Sequence, residues 1–325
     1  MNLTRRSFIQ TSASLATTTA LAPRLFAESN VEDLPIIDTH QHLWDLSKFK
    51  PPWLGEAPEV LARSYVTRDY LEATQDVQLA KAVYMEVDVH PDQQQQEAEH
   101  VIALSKSKDH PTAAAVISGR PNSSGFRDYI TQYKNSRYIK GVRQVLHVDS
   151  AARGLCLEAP FVQSMHLLGE FGKSFDLCMR PSELDDGWKL AKECPHTRFI
   201  LDHCGNADPM AWLPTSKEMP WHEVDAWKQS IDQLADCPNV ICKISGIVAR
   251  APSGWTSDDI APIVNFCLDQ FGPDRVIFGG DWPVCLLGSS YAGWVKALHE
   301  IIRERSIQDC RKLLHDNAVR LYGLV

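Results

Sequence analysis

The stretch LPIIDTHQHLWD, residues 34–45, is an apolar run that ends in two histidines one residue apart. Side chains of an extended chain alternate between faces, so His40 and His42 leave the same face, and Asp38 shares their parity. A doubly wound nucleotide-binding sheet places a glycine-rich loop directly after its first strand, bringing backbone amides against phosphate. No glycine occurs between residues 34 and 45. The stretch therefore points away from that fold, toward a strand that delivers two imidazoles to its C-terminal end.

The pattern recurs. Further β-rich runs are AKAVYMEVDV (80–89), AAAVISG (113–119), IKGVRQVLH (139–147), SFDLCM (174–179), TRFILDHCG (197–205), NVICKISGI (239–247) and DRVIFGGDW (274–282). Polar segments with helical spacing lie between them, such as PDQQQQEAEHVIALSKSK (91–108) and DDGWKLAKEC (185–194). A strand followed by a helix, repeated along the chain, predicts parallel strands joined by crossover helices. Eight such units across residues 34–323 match a (β/α)8 barrel, with a doubly wound open sheet as the alternative.

A barrel of this kind carries its chemistry at the C-terminal ends of its strands. Polar side chains cluster there. His40 and His42 end the first run, Glu86 and Asp88 the second, and Arg120 follows the third. Arg143 and His147 lie on the fourth run, Arg180 ends the fifth, His203 the sixth and Asp281 the eighth. His100, His110, His299 and His315 fall in helical or loop segments and read as surface or packing residues.

The 325 residues, 44% hydrophobic and 23% charged, are enough for one large domain with a deep core. A net charge of −8, from 33 basic and 41 acidic residues, argues against a nucleic-acid surface. No apolar run beyond the N-terminus is long enough to span a bilayer. The N-terminus itself has the Arg5–Arg6 pair, the weakly apolar ASLATTTALA and then RLFA, the pattern of a twin-arginine signal peptide. Cleavage after Ala27 would leave residues 28–325 as a periplasmic or otherwise exported domain. It would remove three arginines and no acid, taking the charge from −8 to −11. Nine cysteines form no CxxC pair, and several sit in apolar runs, so they read as buried reduced thiols and not as a disulfide frame.

In this order, DTHQHLWD, GVRQVL, FDLCMRP, LDHCGNAD, CKISG and VIFGGDWPV resemble the amidohydrolase superfamily, and within it the branch of sugar-acid and aromatic-pathway lactonases. The resemblance spans residues 34–323. It implies a distorted (β/α)8 barrel in a single domain, hydrolysing ester or amide bonds, usually with one or two divalent metals. It also implies metal binding by His40, His42 and Asp281, with His203 as the sixth-strand histidine and Asp281 handling the proton of the attacking water. Metal-rich members carry a further histidine after the fifth strand, where this chain reads DLCMRP, and the fourth run shows no bridging lysine or glutamate. The expectation is one zinc-like divalent ion or none.

Opening a lactone requires an activated water, an electrophile for the carbonyl oxygen and groups that hold the ring. Asp281 suits the general base. His40, His42 and His203, with Glu86 and Asp281 as further ligands, suit one divalent ion. Without metal, the histidines would polarise the carbonyl, assisted by Arg143. The planar forks of Arg120, Arg143 and Arg180 suit hydroxyls or a carboxylate. Trp44 and Trp282 form either an apolar wall beneath a sugar ring or plain core. The long stretches at 206–225 and 250–259 read as substrate covers or as loops packed on their neighbours. The expected partner is a small-molecule lactone, and a homo-oligomer is left open. Two alternatives stand beside this reading: a metal-dependent decarboxylase or amide hydrolase of a small carboxylated substrate, and an inactive binding protein on the same fold.

Overall fold

The computed structural model describes residues 30–107, 109–213 and 219–324. The twin-arginine segment with its cleavage site, and residues 214–218 of the long loop, lie outside the described residues. The strands are β1 (Ile36–Gln41), β2 (Leu79–Met85), β3 (Thr112–Ser118), β4 (Ile139–Val145), β5 (Ser174–Cys178), β6 (Arg198–Leu201), β7 (Val240–Ile244) and β8 (Val276–Phe278). They form one sheet in sequence order, and every neighbouring pair is parallel. Helices cross between them, among them Gln94–Lys106, Ala159–Glu170, Leu184–Glu193, Val224–Ala235 and Ser257–Phe271. This is the (β/α)8 barrel. β2 stops at Met85 and β8 at Phe278, so the polar ends of those two runs leave the ladder and form the rim.

The barrel closes between β8 and β1 through individual bonds. Thr39 Oγ1 donates to the Phe278 carbonyl at 2.6 Å, and the Gly280 N–H donates to the Asp38 carboxylate at 2.7 Å. The His42 N–H donates to the Trp282 carbonyl at 2.8 Å, and Gln41 pairs with Trp282 in a single parallel bridge. A Cβ on Gly280 would lie 2.3 Å from the Tyr291 ring, so only glycine permits this approach.

The seam corrects one expectation. β1 slips its register against β2 between Asp38 and Gln41, and a bulge of this kind re-aims the residues beyond it. Asp38 consequently faces the helices, where the Tyr70 hydroxyl donates to it at 2.8 Å and burial pushes its carboxyl up. His40 and His42 turn inward together, with ring centroids 4.8 Å apart.

Two apolar layers fix the rest. Ile36, Tyr84, Ile117, Phe175, Leu201, Ile244 and Phe278 pack between sheet and helices. Ile37, Val83, Met85, Val116, Ile200, Ile241 and Ile277 fill the lower barrel, stoppered by Leu321 and Tyr322 of the C-terminal helix Asn317–Tyr322. Each such side chain contributes about 1.5–3 kcal/mol on burial. The lower end is therefore closed to solvent and solute, which leaves the upper end for chemistry. All nine cysteines are buried and free, as their sequence context suggested. Among the described residues no helix is long and apolar enough to cross a membrane.

Candidate active site

Directly above the apolar filling the strands place a layer of charge. Lys243, in the middle of β7, is fully buried, with Nζ 2.7 Å from Asp176 of β5 and 2.9 Å from Asp202 after β6. Arg143 of β4 donates from Nε to the Glu86 carboxylate at 2.6 Å and from Nη2 to the Glu86 carbonyl at 2.9 Å. Its Nη1 lies 3.5 Å from Asp202. Burial opposes every one of these charges, so the pairing decides which survive. Burial alone would raise the Asp202 carboxyl, but Lys243 and His40 hold it well below the carboxylate range. Asp176 is pushed up by burial despite Lys243, and the Lys243 ammonium, disfavoured by burial, is stabilised by Asp176 and Asp202.

This layer orients the imidazoles. His42 Nδ1 faces the Met85 carbonyl oxygen at 3.1 Å. A carbonyl only accepts, so Nδ1 carries the proton and the Nε2 lone pair points toward Asp281, 3.5 Å away. His203 Nδ1 lies 2.9 Å from Ser245 Oγ, and its ring rests on Gly246. His40 has Asp202 at 3.5 Å and Lys243 at 3.3 Å from Nδ1, with Asp281 at 3.5 Å and Arg143 at 3.3 Å from Nε2. Burial lowers the pKa of all three rings, His42 to about 3 with help from Arg143, so they are neutral. Burial raises Asp281 to about 6 against the opposing pull of His203 and Arg143.

The rim is strained where it carries function. His203, Cys204, Gly205 and Asn206 follow one another at positive φ, and Asp88 and Asp281 adopt it too. Left-handed backbone costs a non-glycine residue roughly 1–2 kcal/mol. Tertiary bonds impose it here: Trp227 Nε1 donates to the Cys204 carbonyl at 2.9 Å, and Asn206 Nδ2 to the Met179 carbonyl at 2.7 Å. The turn that results places the His203 ring 4.5 Å from that of His40.

A cavity of about 500 Å³ opens above these groups, with His42, Arg143, His203 and Asp281 at its polar end and Trp44 and His147 on its walls. His40 lies beneath them, fully buried. Other expected contributors are elsewhere. Glu86 does not line the cavity; its carboxylate accepts from Arg143 and from the Asp88 N–H at 2.6 Å, which ties up the proposed further ligand. Arg120 does not line it either, being paired with Asp88 at 2.7 Å. Arg180 binds Glu183 and the Ala151 carbonyl away from the wall. Trp282 is buried between Tyr65 and Tyr70, at centroid distances of 5.1 and 5.3 Å, so it is core. In the loop after β6, Asp208 accepts from the Trp221 N–H and from Arg250 of the following loop, each at 3.0 Å, so this loop packs on its neighbour, and Trp221 lines the cavity.

Lys243, Asp176 and Asp202 were not singled out from sequence, nor were Trp53 and Trp221, which also line the cavity. A signal existed for the first two. A lysine and an aspartate inside the apolar runs VICKI and SFDLC have no place on a fully buried strand unless they meet one another.

One atom each from His40, His203 and Asp281 lies within 4.8 Å of the others, a donor set that suits one divalent ion. The Asp202 contact at His40 Nδ1 and the Ser245 contact at His203 Nδ1 are the outer partners that such ligands need. Two further trios, Cys178–Asp202–His203 and Cys204–Cys242–Cys267, also bring donor atoms together, the first sharing His203 with this set. His40, His203 and Asp281 together fit one ion.

A (β/α)8 barrel with neutral imidazoles and a buried carboxylate gathered at its rim is the arrangement of a hydrolase. Residues 37–324 match the family model described as amidohydrolase, and the chain belongs to that family. It is 27% identical over 263 residues to an L-fucono-1,5-lactonase of Burkholderia multivorans, covering 78% of this chain and 84% of that one. It is 24% identical over 226 residues to an L-rhamnono-gamma-lactonase of Scheffersomyces stipitis, covering 62% and 66%. A crystal structure of a Burkholderia multivorans amidohydrolase with bound zinc has the same fold, with a TM-score of 0.78 at 24% identity over 90% of this chain and all of that one.

Proposed function

We propose that this chain hydrolyses lactones, with Asp281 as general base. One observation carries the reading: a buried carboxylate, 3.5 Å from both His40 Nε2 and His42 Nε2, faces a cavity whose polar end also presents Arg143. A water held between Asp281 and the imidazoles gives its proton to Asp281 as its oxygen bonds to the lactone carbonyl carbon. The guanidinium of Arg143, fixed by Glu86, supplies donors for the carbonyl oxygen as it gains charge. When the ring C–O bond breaks, the alkoxide takes the proton from Asp281 and leaves as the hydroxyl of a hydroxy acid. An ion held by His40, His203 and Asp281 would add Lewis acidity and lower the pKa of bound water. The lactonase names of two relatives support an ester over an amide, and a sugar-acid lactone as one candidate. The zinc in the Burkholderia structure supports a zinc-like ion. The Arg5–Arg6 segment supports export of the folded domain.

A panel of lactones with a pH-indicator readout, run with and without chelator, tests the reading. Asp281→Asn keeps the shape and removes the acceptor, so kcat should fall by about 10²–10⁴-fold with the fold intact. A variant within a few-fold of wild type would remove Asp281 from this role, and turnover of amides or aromatic acids in place of lactones would refute the function.

A further inference from the structure

We infer that the lactone is uncharged and carries a bulky apolar substituent, which lies along the cavity mouth while the ring sits at the polar end. This rests on the hydrolase reading and goes beyond it. The cavity is about 500 Å³. A six-carbon lactone fills only about 180 Å³, roughly six waters at ~30 Å³ each, so most of the space lies beyond the ring. That remaining space is walled by Trp53 and Leu61 from the loop after β1, Val148 from after β4, Trp221 from after β6, and Val284 and Leu287 from after β8. Four separate loops thus bring apolar side chains to one mouth. Trp221 and Leu287 stay 50% and 39% exposed there, although large apolar groups are ordinarily covered.

The cations tell against a charged substrate. Among the described residues the two arginines that line the cavity both have internal carboxylates: Arg143 holds Glu86 at 2.6 Å, and Arg250 holds Asp208 at 3.0 Å while stacking 3.9 Å over the Trp221 ring. Asp281 adds a carboxylate to the lining, and so does Asp88, which Arg120 holds at 2.7 Å. A carboxylated lactone would meet guanidiniums that already hold carboxylates, with Arg250 Nε the one buried donor on them left without a partner. A polyhydroxylated chain would press hydroxyls against Leu61, Val284 and Leu287, which offer them no partner.

The test compares three δ-lactones of one ring size, bearing a butyl group, several hydroxyls or a carboxylate, in the pH-indicator assay. Each buried methylene is worth about fourfold, so the butyl lactone should lead the polyhydroxylated one by at least about tenfold in kcat/KM, with the carboxylated one last. Leu287→Asn should erode that lead. If the polyhydroxylated or carboxylated lactone leads, the inference is overturned while lactone hydrolysis stands. If no lactone turns over, the hydrolase reading fails, and the corresponding lactams, titrated against tryptophan fluorescence, decide the pocket chemistry. Tighter binding of the butyl lactam supports an apolar site, and equal or weaker binding overturns it.

Discussion

Replacing Lys243 by methionine tests the charge layer under the site. Methionine fits the ammonium's channel and removes the charge alone, leaving Asp176 and Asp202 facing each other with no exposure to solvent. Removing one partner of a buried ion pair typically costs about 3–5 kcal/mol, because the remaining charge stays desolvated. In a chain of this size that corresponds to a fall in Tm of about 6–10 °C, at roughly 2 °C per kcal/mol. The loss should depend on pH with a definite sign. Burial already pushes Asp176 up, and without Lys243 it would rise further above its unfolded value. Between those two values the native state holds a proton that the unfolded state has released, so stability falls as pH rises. Urea unfolding followed by tryptophan fluorescence should therefore show a smaller penalty at pH 5.5 than at pH 8. Adding Asp176→Asn to Lys243→Met removes the stranded charge and should recover more than half of the loss. A penalty below 1 kcal/mol, a penalty independent of pH, or strict additivity in the double variant would refute the charge argument.

Three further outcomes are expected. A Cβ on Gly246 would lie 2.2 Å from His203 Nδ1 at a φ of +70°, so Gly246→Ala should displace the ring and lower kcat at least tenfold. Gly254→Ala, at a φ of +80° with open space around it, controls for backbone strain alone and should leave kcat unchanged; equal losses in the two would show that the His203 clash is irrelevant. Metal analysis of purified protein should give one equivalent per chain or fewer, and two equivalents with retained activity would overturn the single-ion expectation. Lysine at both Arg5 and Arg6 should leave unprocessed precursor in the cytoplasm, whereas normal export would rule out the twin-arginine route.

Much of the barrel was legible because a buried parallel strand must be a short apolar run, and a crossover helix must carry its own spacing. The same logic placed His40, His42, His203 and Asp281 at the rim, since polar groups ending apolar runs in one barrel must converge. Residue spacing could not say which side Asp38 would face, because parity holds only while register holds, and the bulge before Gln41 breaks it. Nor could it separate Arg143, which lines the cavity while Glu86 holds it, from Arg120 and Arg180, whose carboxylate partners hold them off the cavity wall. Arginines on the cavity wall and off it look alike in one dimension. The same limit hid Lys243, whose partners lie 41 and 67 positions away on strands that meet it only when the barrel closes. Local chemistry and periodicity settled which residues stand at the mouth of the barrel. Closure of the sheet alone decided which charges cancel, which imidazoles turn inward and which loops supply the apolar wall, because those depend on distances between segments far apart in the chain.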